Sequence, residues 1–146
     1  MVDFRGAHVD SDLVAPLHTV SVTGIVLRDD GRLLTIKRAD DGTWVPPGGM
    51  LELGEGLQQG VVREVLEETG VTVLPVRLTG VYKNIPRRTI SIAFLCRVVR
   101  GEPGVSDEAT DVAWMTPQEA STVMPPLRAL RVSDALDANG PFVRSY

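Results

Sequence analysis

Leu57-Gln-Gln-Gly-Val-Val-Arg-Glu-Val-Leu-Glu-Glu-Thr69, followed by Gly70, is the stretch from which the rest of the chain can be ordered. At about 100° per residue, Val62, Val65 and Leu66 share one face. Offsets of three and four residues bring Glu64, Glu67 and Glu68 within an arc of roughly 100° on another face. The pattern predicts a helix over 57–69 that buries its apolar stripe and presents its carboxylates outward or into a cleft, with Gly70 as the C-terminal cap. Gly60 lies on the carboxylate side and leaves the space one turn before Glu64 open for a ligand, although a helical glycine costs about 1 kcal/mol relative to Ala. Like charges at Glu64 and Glu68 cost about 0.2–0.5 kcal/mol more, and only Arg63 offers local compensation. Two readings of this face stand here: a solvated acidic surface, or ligands for a hard divalent cation, which favours carboxylate oxygens.

Ahead of this helix, Trp44-Val45-Pro46-Pro47-Gly48-Gly49 interrupts any period and reads as a loop leading into it. Before it, His18 to Leu27 and Arg32 to Lys37 are predicted as a strand pair joined by the turn Asp29-Asp30-Gly31. After the helix, Val71 to Tyr82 and Thr89 to Val99 read as two further strands, and Gly101 to Gly104 as a turn. Asp111 to Met115 is a short strand candidate, Thr116-Pro117 opens a helix with Thr at the N-cap, and a last helix is expected from Pro126 to about Ala138. Strands on both sides of a central helix give an α/β (α+β) fold, a sandwich with a mixed sheet between helices. Residues 1–17 carry no clear period and read as an arm or first element, and residues 18–146 as a single domain. That arm could be exchanged in a homodimer or be a loose terminus.

Composition narrows the partners. Hydrophobic residues at 43% and charged residues at 23% are globular usage. No apolar run approaches the roughly 20 residues of a membrane span, and the N-terminus lacks a signal-peptide core, so the expected location is the cytoplasm, away from the membrane. A net charge of −4 argues against a nucleic-acid polymer as partner and requires any small anionic substrate to be held locally. Cys96 is the only cysteine, which excludes an internal disulfide and a thiolate metal site, and its apolar surroundings read as core. His8 and His18 have no ligand-type neighbours at metal spacing and are treated as structural or exposed.

Residues 49–71, GMLELGEGLQQGVVREVLEETGV, resemble the box of the Nudix (MutT-type) hydrolase family: Gly, five residues, Glu, seven residues, then Arg-Glu-aliphatic-any-Glu-Glu-any-Gly-aliphatic. Gly49, Glu55, Arg63, Glu64, Glu67, Glu68 and Gly70 fill the fixed places, and Val65 and Val71 the aliphatic ones. At roughly one chance in 15 per fixed position, such a match arises by accident about once in 10⁸ windows. The likeness spans residues 18 to 120, from Arg38 and the Trp44 to Gly49 segment to Glu108, six positions before Trp114, and Thr116-Pro117-Gln118-Glu119. Gln58, Gln59 and Gly60 are less typical but occupy no fixed place.

The resemblance implies an enzyme with a Nudix-type α/β/α sandwich that hydrolyses a diphosphate linkage in a (deoxy)nucleoside triphosphate or an ADP-sugar such as ADP-ribose. It implies Mg²⁺, with Mn²⁺ as a substitute, held by Glu64, Glu67, Glu68 and the carbonyl of Gly48. Glu55 would support the cluster and Arg63 orient it. A glutamate must accept the proton of the attacking water, Glu67 or Glu68, with Glu108 as the alternative. For the substrate, Arg38 and Arg87, and less so Arg88, either clamp phosphates or are ordinary surface arginines. Trp44 either stacks on a base or packs. Pro86 stands fifteen residues after Val71, a spacing similar to that in ADP-ribose pyrophosphatases, but a proline between strands also simply marks a turn. A competing class is a catalytically silent nucleotide-binding or regulatory module on the same fold, against which the intact glutamate set argues. A purely structural role leaves the repulsive glutamates unexplained.

Overall fold

A central strand covered on both faces draws on apolar and small residues, and Thr19-Val-Ser-Val-Thr-Gly-Ile-Val-Leu27 forms β1 (Thr19–Leu27), buried from Val22 to Val26 and open to solvent at Thr19. The structure, a computed structural model, describes residues 15–146, so the expected arm falls almost entirely outside the described residues. In chain order there follow β2 (Leu33–Arg38), β3 (Trp44–Val45), β4 (Gly48–Met50), α1 (Leu57–Thr69), β5 (Thr72–Asn84) and β6 (Thr89–Arg100). The chain continues through β7 (Ala109–Met115), α2 (Pro117–Val123), α3 (Pro126–Leu136) and β8 (Phe142–Ser145).

The strands form one mixed sheet in the order β3-β2-β1-β6-β5-β8, with β4 on β1 and β7 on β2. β1 runs parallel to β6 from Thr19 opposite Thr89 to Leu27 opposite Arg97. Successive side chains point to opposite faces of a strand. Val22 and Val26 of β1 therefore meet Val61 and Val65 of α1, with Val71, Val73, Phe94 and Cys96 in the same core. Ile25 of β1 faces the other way, against Leu33, Ala120, Met124, Val132 and Ala135 under α2 and α3. Helices thus cover both faces, and the expected α/β/α sandwich is the fold observed. No helix among the described residues is long and apolar enough to cross a membrane.

Several expected elements appear where the local signals put them. α1 covers 57–69 as predicted and ends on Gly70 at φ 78°, whose N–H donates to the Leu66 carbonyl at 2.9 Å. Thr116 caps α2 reciprocally: its hydroxyl accepts the Glu119 N–H at 3.2 Å and the Glu119 carboxylate accepts the Thr116 N–H at 2.9 Å.

Other elements differ from expectation. The β1–β2 turn forms with Gly31 at φ 84°, but the two strands pair only at Leu27 and Leu33 before separating. β2 turns to β7 instead, and the edge of β1 thus released is taken by β4, with Ser21, Val22 and Thr23 opposite Met50, Gly49 and Gly48. The segment expected to be a loop therefore holds two short strands, β3 and β4. Glycine makes the second possible, because a Cβ on Gly48 would fall 2.3 Å from the Val22 carbonyl oxygen. β8 was not expected at all, and α3 stops at Leu136, short of Ala138. The buried face of α1 is also rotated from the one expected: Val61 and Val65 are fully buried, Val62 only partly, and Leu66 is exposed. The space beside Gly60 is filled by protein, since a Cβ there would come within 2.7 Å of Leu51 and 3.0 Å of Glu55.

Candidate functional site

The rotation of α1 carries Glu64 and Glu68, one turn apart, into the protein, where they are 7% and 4% exposed. Ionised carboxylates resist such burial unless something compensates them. Burial pushes the Glu68 carboxyl up to about 8, against the pull of the Gly48 N–H, and the neighbouring Glu64 and Glu108 charges push the same way. Gly48 donates that bond to Glu68 Oε1 at 2.9 Å, so the turn into β4 sets the position of the carboxylate. Burial also raises Glu64, opposed by Arg63, whose Nη1 lies 2.8 Å from Glu64 Oε1.

The third carboxylate arrives from the far end of the chain. Ala109 is fully buried with Ile36 and Val45, and the Glu108 carbonyl accepts the Ala39 N–H at 2.9 Å, which fixes the entry to β7 beside the end of β2. Glu64, Glu68 and Glu108 each place a carboxylate oxygen within 4.8 Å of the other two. Two helical residues and one from the loop before β7 thus converge on a single point. Gly49 lies against it so closely that a Cβ would sit 2.5 Å from the Glu64 carboxyl carbon. The donor set is all oxygen, which suits Mg²⁺ or Mn²⁺ over softer metals. Three carboxylates at this spacing, two of them buried, fit a divalent cation.

Arg63 is the brace of the arrangement. It grips Glu55 with Nε at 2.9 Å and Nη2 at 2.6 Å, and donates to the Met50 carbonyl at 3.0 Å and Glu67 Oε2 at 3.2 Å, besides Glu64. The guanidinium holds the Glu55 carboxyl down at about 2, helped by the Glu52 N–H. A single side chain therefore ties the segment after β4 to α1, using the planar fork that lysine lacks. Glu67 lies on the exposed flank beside Arg63, outside the group of three.

A cleft of about 1090 Å³ opens over Glu68, Glu108, Gly48 and Gly49, where β2 and β1 diverge. Arg38 lines it but is engaged by Asp40, at 2.9 and 2.5 Å. Arg87 stands on its rim in the exposed β5–β6 turn that also holds Pro86, while Arg88 adopts φ 53° in the same turn. Trp44 is not part of the cleft wall; it packs against the core under α2 and α3. The cleft also has a side that the sequence did not announce. Thr19, Ser21, Ser91 and Tyr146 supply hydroxyls, and α3 supplies Arg128 and Arg131. The one local signal for these was an arginine at position 131 between the apolar residues Leu130 and Val132.

Comparison with known proteins agrees with this geometry. The family pattern described as the NUDIX domain matches residues 17–135. A MutT-like protein of Streptomyces ambofaciens is 53% identical over 131 residues, covering 90% of this chain and 85% of that one. An ADP-ribose pyrophosphatase of Methanocaldococcus jannaschii is 38% identical over 99 residues, 63% of this chain and 58% of the relative. Among solved structures, a NUDIX hydrolase from Nitrosomonas europaea superposes with a TM-score of 0.77 at 22% identity, covering 88% of this chain and 78% of the other.

Proposed function

This chain belongs to the NUDIX family as a MutT-type pyrophosphohydrolase, and from that premise we propose that it cleaves a diphosphate linkage in a nucleoside-diphosphate-linked substrate, a (deoxy)nucleoside triphosphate or an ADP-sugar, with Mg²⁺ as cofactor. The observation that carries this reading is the meeting of Glu64, Glu68 and Glu108 beside a cleft large enough for a nucleotide, which Glu68 and Glu108 line. Glu64 and Glu68 would hold the cation, with Glu67 on the same helix and Gly48 beside them. Mn²⁺ has the same ligand preference and would substitute. When bound, the cation neutralises diphosphate charge and lowers the pKa of a coordinated water.

The remaining work falls to the chain itself. The Gly48 N–H and Arg63 keep Glu68 and Glu64 in place before substrate arrives, so no reorganisation is needed at the moment of reaction. Glu108 is exposed to the cleft and comes from a separate element, which makes it our choice for the proton acceptor over Glu67, whose carboxylate is turned to Arg63. Arg87 at the rim, and Arg38 once released from Asp40, bind phosphate oxygens. Trp44 buttresses the strand that carries Arg38 and does not stack on a base.

The test is release of phosphate, pyrophosphate or AMP from a panel of nucleoside triphosphates, ADP-ribose and dinucleoside polyphosphates, with Mg²⁺ and with chelator. Cleavage that needs the cation and is lost in Glu68→Gln supports the proposal, and the products identify the bond. Silence in every lane by a folded protein that binds Mg²⁺ would reject it in favour of a binding module.

A further inference from the structure

Arg131 is 4% exposed, yet among the described residues no carboxylate pairs with it. Its Nη1 and Nη2 reach only neutral hydroxyls, Thr23 Oγ1 and Tyr146 Oη, both at a long 3.3 Å, and its Nε has no partner. The acid one turn further along α3, Asp134, is already taken by Arg144 at 2.7 and 2.8 Å and by the Tyr82 hydroxyl at 2.8 Å. The Tyr82 ring lies 5.1 Å from the Arg131 guanidinium carbon, a contact that softens the burial of a charge without neutralising it. A buried guanidinium with an orphaned donor is strongly disfavoured unless an anion completes it.

Arg128, one turn earlier on α3, lines the same cleft. Burial, and then the positive charges of Arg131, Arg38 and Arg87, pull it down to about 10. Four guanidinium groups therefore crowd one region, and of these only Arg38 is in an ion pair among the described residues. Thr23, to which Arg131 donates, is the β1 residue opposite Gly48, whose amide holds Glu68. The arginines of α3 and the glutamates of α1 thus enter the cleft from opposite faces of the sheet. The hydroxyls of Ser21 and Ser91, 2.6 Å apart, lie on its lining. A neutral base would leave the excess positive charge in place, whereas a phosphoryl group offers both negative charge and acceptors matched to guanidinium forks.

Resting on the hydrolase reading above, we propose that Arg128 and Arg131 form an anion subsite for a phosphoryl group of the substrate beyond the cleaved linkage. The subsite selects nucleotides carrying a third phosphate over ADP-sugars, which lack one.

Inorganic pyrophosphate binding to the intact chain in chelator, followed by calorimetry and by thermal shift, reads the arginines of the cleft apart from the cation site, because cation-free carboxylates repel the probe, and variants on α3 separate Arg128 and Arg131 from Arg38 and Arg87. The parent should bind, Arg128→Gln should weaken binding by about tenfold or more, and Arg131→Met should lose the thermal shift. Without pyrophosphate, Arg131→Met should melt no lower than the parent, since it removes an uncompensated charge; a lower melting temperature would mark Arg131 as structural. Parent protein that ignores pyrophosphate, or variants that bind it equally well, would overturn the subsite. In turnover, Arg128→Gln should raise KM for a triphosphate by about tenfold and change that for ADP-ribose little; equal effects on both would overturn the third-phosphate assignment. If nothing is hydrolysed, the hydrolase reading fails by itself and the pyrophosphate measurement alone decides the subsite.

Discussion

Glu68→Gln should make the metal-free protein more stable at alkaline pH while removing its response to Mg²⁺. In the cation-free protein the Glu68 carboxyl is raised from 4.5 to about 8, chiefly by burial. Between those two values the folded chain keeps a proton that the unfolded chain releases, so stability falls as pH rises through that window and levels off above it. A shift of this size corresponds to about 4–5 kcal/mol in the limit. Glutamine escapes that penalty and can keep the 2.9 Å bond from the Gly48 N–H through its own Oε1. Its amide nitrogen, however, becomes a buried donor in need of a partner, at a cost of about 1–3 kcal/mol. The curves should therefore cross: near about pH 5 the parent is the more stable, and near about pH 9 the variant leads by about 2 kcal/mol, or about 4–8 °C in Tm. Thermal unfolding by circular dichroism in chelator across that range reads the crossing directly. Added Mg²⁺ should raise the Tm of the parent at pH 9 and leave that of the variant nearly unchanged. Parallel Tm profiles for the two proteins from pH 5 to pH 9 would be incompatible with a Glu68 carboxyl held protonated by burial.

Two neighbouring glycines should fail in different ways. Ala at position 48 drives a Cβ to 2.3 Å from a backbone oxygen, so Gly48→Ala should lose about 2 kcal/mol or more in denaturant unfolding. Ala at position 49 first meets the end of the Glu64 side chain, at 2.5 Å, so Gly49→Ala should stay folded but bind Mg²⁺ about tenfold more weakly by calorimetry. Arg63→Lys keeps the charge but loses the two-pronged grip on Glu55, and kcat should fall about 10–100-fold with a smaller change in KM; a pure KM effect would argue that Arg63 binds substrate instead of bracing the carboxylates. Tyr82→Phe removes the 2.8 Å bond to Asp134 inside the core, and Tm should drop by about 3–6 °C, a loss that calorimetry would resolve.

Local signals sufficed where an element is stabilised by its own residues. The span of α1 follows from its apolar period and the left-handed Gly70, and the start of α2 from Thr116 and Glu119 bonding each other. β4 and β8 lacked such marks. Their three and four residues are held by hydrogen bonds to β1 and β5, partners more than 20 residues away, and so short a segment carries no measurable period. The same limit applied to the cleft. Glu108 could be singled out only through the family resemblance, and Arg128 not at all, because nothing near either residue in the chain states what faces it across the cleft.

Residue types at fixed spacing along one segment made the family, the helix over 57–69 and its acidic face of Glu64, Glu67 and Glu68 legible from the chain alone. Packing of distant segments turns Glu64 and Glu68 inward while Glu67 stays out, closes Gly48 and Glu108 on them, and buries Arg131 without a carboxylate partner among the described residues. The physical reason is that the free energy of a charge depends on the water removed from it and on the partners supplied to it. Both are set by atoms that arrive from other strands and helices, not by the neighbours of that charge along the chain.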